Sequence, residues 1–188
     1  MNCERTSLAA DTKFSTREED GQLYIEGYFS VFGTRYKMWE GAEETIEQGA
    51  FDGQLGNDIR ALVNHDTTLV LGRTTANTLE LRVDDIGLWG RILINPADQD
   101  AVNLYERVKR GDVTQCSFGF DILDEDTTTE DGVTVWHVRK VKLYEISVVT
   151  FPAYEDTAVV ARKKDFAEIK KRKHEKWQAE MRARLKGE

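Results

Sequence analysis

Between residues 22 and 150 the chain runs as short stretches rich in aromatic and β-branched residues, most of them closed by Asn, Asp or Gly. That spacing constrains the fold most strongly, because segments of this length and composition bury one pleated face and turn back on themselves. Residues 22–32 (QLYIEGYFSVF) set Leu23, Ile25, Gly27, Phe29 and Val31 on one face. Tyr24, Glu26, Tyr28, Ser30 and Phe32 fall on the other, with a bulge expected at Gly27. Further strands are expected at 44–47, 58–64, 69–74, 78–83, 88–94, 115–123, 133–138 and 141–150. A loop is expected at 34–41 and an acidic, turn-rich break at 124–132. One segment departs from the period of two: after Asn95-Pro96, Ala101, Leu104, Tyr105 and Val108 recur at helical spacing as far as Arg110-Gly111. Many short strands with one or two helices predict a mainly β fold, a closed or nearly closed antiparallel barrel with flanking helices.

Charge divides the chain. Its 188 residues hold 26 Lys and Arg against 34 Asp and Glu, a net charge of −8. Residues 162–188 carry 11 basic and 5 acidic side chains, which makes that segment +6 and leaves −14 on residues 1–161. The expected organisation is a polar N-terminal stretch (1–13), a body (14–161) and a basic tail (162–188). In the tail, Phe166, Ile169, Trp177, Met181 and Leu185 share a helical stripe that Lys173 interrupts, which reads either as a solvated helix laid on its own domain or as an arm that docks on a partner helix or oligomerises. Cys3 and Cys116 form neither a disulfide framework nor a metal spacing. No apolar run approaches the ~18 residues of a membrane-spanning helix, and the N-terminus lacks a secretory pattern. The chain therefore reads as a reduced, cytoplasmic protein with no cofactor and no membrane association. A body at −14 repels phosphate, which argues against nucleic acid as a partner of the tail.

Three histidines are available for chemistry. His174 lies among the lysines of the tail, and His137 sits mid-strand in Val-Trp-His-Val. His65 ends a strand, where a scaffold can direct a general base while a loop leaves it accessible. In Gln-Cys-Ser-Phe-Gly-Phe-Asp (115–121), alternation sets Cys116, Phe118 and Phe120 on one face and Ser117, Gly119 and Asp121 on the other. Gly119 then leaves room beside Ser117 for a substrate backbone. Cys116, on the apolar face, reads as a small hydrophobe rather than a nucleophile. Glu145 lies in an apolar strand, where a carboxylate needs a partner. That partner is an imidazole in one reading and an arginine at a sheet edge in another. Read singly, His65 and Ser117 also admit purely structural roles, as a satisfied strand-end histidine and a polar-face serine.

Taken in order, four stretches resemble the tailed-phage prohead maturation protease family. They are Gly49-Ala50-Phe51; Leu62-Val63-Asn64-His65-Asp66 followed by Leu71-Gly72-Arg73; Cys116-Ser117-Phe118-Gly119-Phe120; and Glu145 through Ala153 (EISVVTFPA). The resemblance covers nearly the whole body. It implies a fold like that of the herpesvirus assemblins, a β-barrel ringed by helices. It also implies a serine endopeptidase with Ser117 as nucleophile, His65 as general base and then acid, and Glu145 as third member. Assemblins are described with a histidine in the third place, which makes His137 the rival to Glu145; Gly72-Arg73 is the motif's candidate for the oxyanion hole. The implied substrates are the major capsid protein's scaffolding segment, scaffold proteins and the protease itself, inside the assembling procapsid in the host cytoplasm. The alternative is a non-catalytic assembly factor of the same fold; a small-ester hydrolase is disfavoured, because no Gly-x-Ser-x-Gly elbow occurs. In the procapsid setting the basic tail is suited to an acidic scaffold segment or portal surface. Deleting residues 162–188 is then expected to spare peptide hydrolysis and reduce the protease content of purified procapsids; equal incorporation of the truncated chain would refute that role.

Overall fold

A computed structural model describes residues 15–151, the backbone of residues 4–8, and the isolated positions Lys171 and Glu175. The expected helical stripe of the tail, together with Cys3 and His174, lies outside the described residues.

Among the described residues eleven strands form two sheets. The strands are β1 (Glu4–Leu8), β2 (Ser15–Glu19), β3 (Gln22–Val31), β4 (Tyr36–Trp39), β5 (Ala42–Ile46), β6 (Arg60–Val63), β7 (Asp66–Arg73), β8 (Leu79–Val83), β9 (Gly87–Ile94), β10 (Gln115–Glu130) and β11 (Val133–Val149). One sheet is antiparallel throughout, in the order β2-β3-β9-β8. The other runs β1-β10-β11-β5-β4, with β6 also on β11 and β7 on β6. β11 explains why this sheet forks. It pairs antiparallel with β10 along its whole length, and its far edge is shared between two parallel partners, β5 against Thr134–Val138 and β6 against Glu145–Val148. The sheets are not joined into a barrel, so the expected closed antiparallel barrel is corrected to two sheets around one core, one of them mixed. Of the flanking helices, one α-helix, α1 (Gln99–Arg110), and a 3-10 turn at Thr74–Ala76 appear among the described residues.

The core follows from alternation. β9 buries every second residue through Leu88, Gly90, Ile92 and Ile94, and β3 does so through Ile25, Gly27 and Phe29. Cys116, Phe118 and Phe120 of β10 and Ile146 and Val148 of β11 belong to the same core cluster. Phe118 stacks on Phe120 with ring centroids 4.7 Å apart and meets Phe51 edge-on at 5.6 Å. Helix α1 adds Ala101, Leu104, Tyr105 and Val108, the four residues whose spacing predicts it. Asp98 caps its start by accepting from the Asp100 and Ala101 N–H groups at 3.0 and 3.3 Å, and Gly111 ends it at φ 87°.

Three local expectations are corrected. The stretch 34–41 contains β4, which pairs with β5 as a hairpin through Glu40 and Gly41. The bulge in β3 lies between Tyr28 and Ser30, while Gly27 pairs regularly with Gly90. The acidic break at 124–132 is strand as far as Glu130, because Thr127, Thr128 and Thr129 pair with Trp136, Val135 and Thr134. Only Asp131 and Gly132 form the turn, so 133–138 and 141–150 belong to one strand. Gly90 shows how closely the sheets approach. A Cβ there would stand 2.8 Å from Phe29 Cε2 and 3.0 Å from Ile146 Cδ1. Gly90→Ala is expected to lower stability by about 1–3 kcal/mol, read as a reduced urea midpoint; an unchanged midpoint would contradict this packing.

Candidate active site

The β6–β7 hairpin turns through two residues, Asn64 and His65, with Val63 and Asp66 paired across it. Both turn residues have positive φ, 49° and 61°, as in a type I′ turn, whose central positions favour Asn-Gly or Asp-Gly. Two other two-residue turns of the chain with positive φ at both positions are Asp20-Gly21 and Asp131-Gly132. At 64–65 a histidine occupies the place that glycine holds in those two, a sterically costly choice for a side chain. Contacts with β11 hold the turn. Asn64 N–H donates to the Val148 carbonyl at 3.0 Å, and Asn64 Oδ1 accepts from Thr150 N–H at 2.9 Å. His65 N–H donates to Ser147 Oγ at 3.2 Å.

The imidazole of His65 is buried against Glu145, with Nδ1 2.6 Å from Oε1 and side-chain exposures of only 3% and 10%. Ser147 donates its hydroxyl to the second oxygen, Oε2, at 2.6 Å. A carboxylate only accepts, so with the imidazole neutral the shared proton resides on Nδ1 and Nε2 carries the lone pair. Nε2 is buried and has no hydrogen-bond partner among the described residues. A buried imidazole with one nitrogen fixed and the other unsatisfied is suited to taking a proton from a reacting group.

Gly119 stands opposite Glu145 in the β10–β11 ladder. A Cβ on Gly119 would lie 2.4 Å from Glu145 Oε1 and 3.0 Å from its Cγ and Cδ. The missing side chain therefore makes room for the Glu145 carboxylate, not for a substrate backbone beside Ser117. Among the described residues no arginine partners Glu145 either. Arg60, the Cα neighbour of Glu145 on β6, pairs with Asp58 at 3.2 Å. Arg73 bonds the same Asp58 at 2.6 and 2.5 Å, and its guanidinium holds that carboxyl down at about 2. Gly72 packs against the Thr78 carbonyl, where a Cβ would come within 2.6 Å. The contacts of Gly72 and Arg73 thus tie β7 to Asp58 and to Thr78, just before β8.

Ser117 is fully buried and stands directly opposite Ser147 in the ladder. Of the three residues singled out by sequence, His65 and Glu145 are in direct contact. Ser117 is across the strand pair from the serine that touches both. Ser147 itself escaped the sequence reading; a hydroxyl two residues beyond a buried strand carboxylate, on the same face, is the pattern that could have found it. His137 lies on the other half of β11, roughly 26 Å from Glu145 along an extended strand. Both its nitrogens are engaged there, Nδ1 by Glu47 at 2.7 Å and Nε2 by Thr128 Oγ1 at 2.8 Å. Cys116 points into the core, where Sγ–H donates to the Tyr28 carbonyl at 3.2 Å. Among the described residues no group of three or more His, Cys, Asp or Glu is placed to hold a metal. No helix among them is long and apolar enough to cross a membrane.

A family model described as caudovirus prohead serine protease matches residues 10–172. The prohead protease of Enterobacteria phage HK97 is 30% identical to this chain over 158 residues, 81% of the chain. The chain spans 66% of that relative's length. Among solved structures, the capsid assembly protease gp21 of bacteriophage T4 matches over 78% of this chain and 95% of its own, with 14% identity and a TM-score of 0.45.

The crowding at Gly119 carries a direct expectation. Gly119→Ala should push the Glu145 carboxylate off His65 and abolish the downfield proton resonance of the Nδ1–H···carboxylate bond. Persistence of that resonance in the variant would contradict the geometry.

Proposed function

The chain belongs to the caudovirus prohead serine protease family, and from that premise we propose that it is a serine endopeptidase of prohead maturation. Ser117 is the nucleophile, His65 the base and then the acid, and Glu145 the group that holds His65. The observation that carries this reading is the buried imidazole whose Nδ1 is bound to a carboxylate and whose Nε2 has no partner among the described residues.

The steps follow from that proton arrangement. Ser117 Oγ attacks the carbonyl carbon of a peptide bond as its proton passes to His65 Nε2, giving a tetrahedral intermediate. The imidazolium then carries protons on both nitrogens, and the Glu145 carboxylate stabilises the added charge through Nδ1–H. Collapse breaks the C–N bond, with the Nε2 proton going to the leaving amine. The acyl group remains on Ser117; water attacks it as its proton passes to Nε2, and collapse breaks the C–Oγ bond, returning that proton to Ser117 Oγ and releasing the acyl group as a carboxylic acid. A dry carboxylate–imidazole pair strengthens this effect, since charges interact more strongly away from water.

The substrates in this reading are the scaffolding segment of the major capsid protein, scaffold proteins and the protease itself, cut inside the procapsid. Confinement raises the local concentration of enzyme and substrate, so modest intrinsic activity suffices.

His65→Gly is the most informative variant, because glycine suits the positive φ of the turn while removing the ring. Cleavage of the capsid protein should fall by about 10³-fold or more, and added imidazole should restore part of it by occupying the vacated space. Undiminished cleavage would reject the base assignment, and normal particle maturation with this variant would favour a non-catalytic assembly module.

A further inference from the structure

We propose that Ser147 is a positioning residue of this site, a single hydroxyl that sets both the carboxylate and the main chain of the base. The proposal rests on the serine-protease reading of His65, Ser117 and Glu145.

A serine hydroxyl has one proton to donate and lone pairs to accept with. At Ser147 both capacities are used toward the same pair of residues. Its proton goes to Glu145 Oε2 at 2.6 Å, and its oxygen accepts from His65 N–H at 3.2 Å. The side chain is fully buried, so water does not supply either bond in its place. The two contacts close a small ring: Ser147 to Glu145, Glu145 to the His65 imidazole, and the His65 backbone back to Ser147.

Each contact has a separate consequence. A carboxylate held by one oxygen alone can rotate about its Cγ–Cδ bond and weaken the bond to the imidazole. With Oε2 fixed by Ser147, Oε1 is the oxygen presented to Nδ1, which sets both the tautomer and the ring orientation. The second contact acts on the turn. The strand pairing of Val63 with Asp66 does not engage the N–H groups of Asn64 and His65. Those two groups go to β11 instead, to the Val148 carbonyl and to the Ser147 hydroxyl. The positive φ of His65 is thus held by a bond that its N–H donates to the residue that also orients its ring partner.

Sequence position makes the ring possible. Glu145 and Ser147 are two apart on one strand and share a face, and Ser117 lies across the ladder from Ser147. Precise placement of a base relative to a nucleophile is where small displacements lower rates most steeply.

The test compares Ser147→Ala and Ser147→Thr with wild type and His65→Gly, on a peptide spanning a mapped capsid-protein cleavage site. Ser147→Ala should lower kcat by about 10- to 100-fold with KM within about twofold, as expected when a hydrogen bond to a charged group is lost. Its downfield His65 Nδ1–H resonance should weaken or vanish. Ser147→Thr keeps the hydroxyl and should recover most of kcat and the resonance. If its extra methyl prevents folding, the resonance and kcat of Ser147→Ala decide alone. A Ser147→Ala enzyme with wild-type kcat and an intact resonance would overturn the proposal. So would a folded Ser147→Thr enzyme as slow as Ser147→Ala. An inactive His65→Gly beside a fully active Ser147→Ala removes only the role of Ser147, whereas an active His65→Gly removes the assignment of His65 as base, on which the role of Ser147 rests.

Discussion

The 2.6 Å contact between His65 Nδ1 and Glu145 Oε1 is the interaction around which the rest of the molecule is arranged. A carboxylate away from water is costly, and removing one member of a buried pair costs about 3–5 kcal/mol. The neighbouring positions are each poor local choices that make sense only in its presence. A histidine takes a turn position that suits glycine. A glycine interrupts β10 between Phe118 and Phe120, and a serine sits fully buried in β11. Conflicts of this kind between local preference and the global fold collect where function is held.

β11 is the element that brings these choices together. It carries Glu145 and Ser147, pairs with the strand of Ser117 on one edge, and receives β6 and the His65 turn on the other. A second histidine–carboxylate pair on the same strand shows what burial contributes. His137 and Glu47 meet at 2.7 Å, much as His65 and Glu145 do, yet their side chains are 23% and 37% exposed. His137 is also satisfied at its second nitrogen by Thr128. Water reaches that pair and screens its charge, so it ties β11 to the end of β5 at modest energy. The contact chemistry is the same; the desolvation differs, and so does an Nε2 with no partner among the described residues.

Much of this was legible in the sequence, for identifiable reasons. Alternation revealed β3 and β9 because each has one face in the core and one that is only half-buried. Helical spacing and the Gly111 stop revealed α1. His65 and Glu145 stood out through local context and meet in space. The acidic stretch 124–130 was hidden, since its pairing with β11 depends on a distant partner and its composition favours turns. Barrel closure was also beyond reach, because strand order is a long-range property and β11 divides one edge between two parallel neighbours. The role of Gly119 was reversed, because the side chain filling its space comes from a residue 26 positions away in the chain.

The central claim is that Ser117 performs the attack that the His65–Glu145 pair activates. Its most direct measurement is a mass-spectrometric map of the termini generated when the chain is co-expressed with its major capsid protein. Wild type should yield defined new termini in the capsid protein's scaffolding segment and in the protease itself. Ser117→Ala, which leaves the His65–Glu145 pair in place, should yield none. The same termini at an undiminished rate from Ser117→Ala would contradict the account.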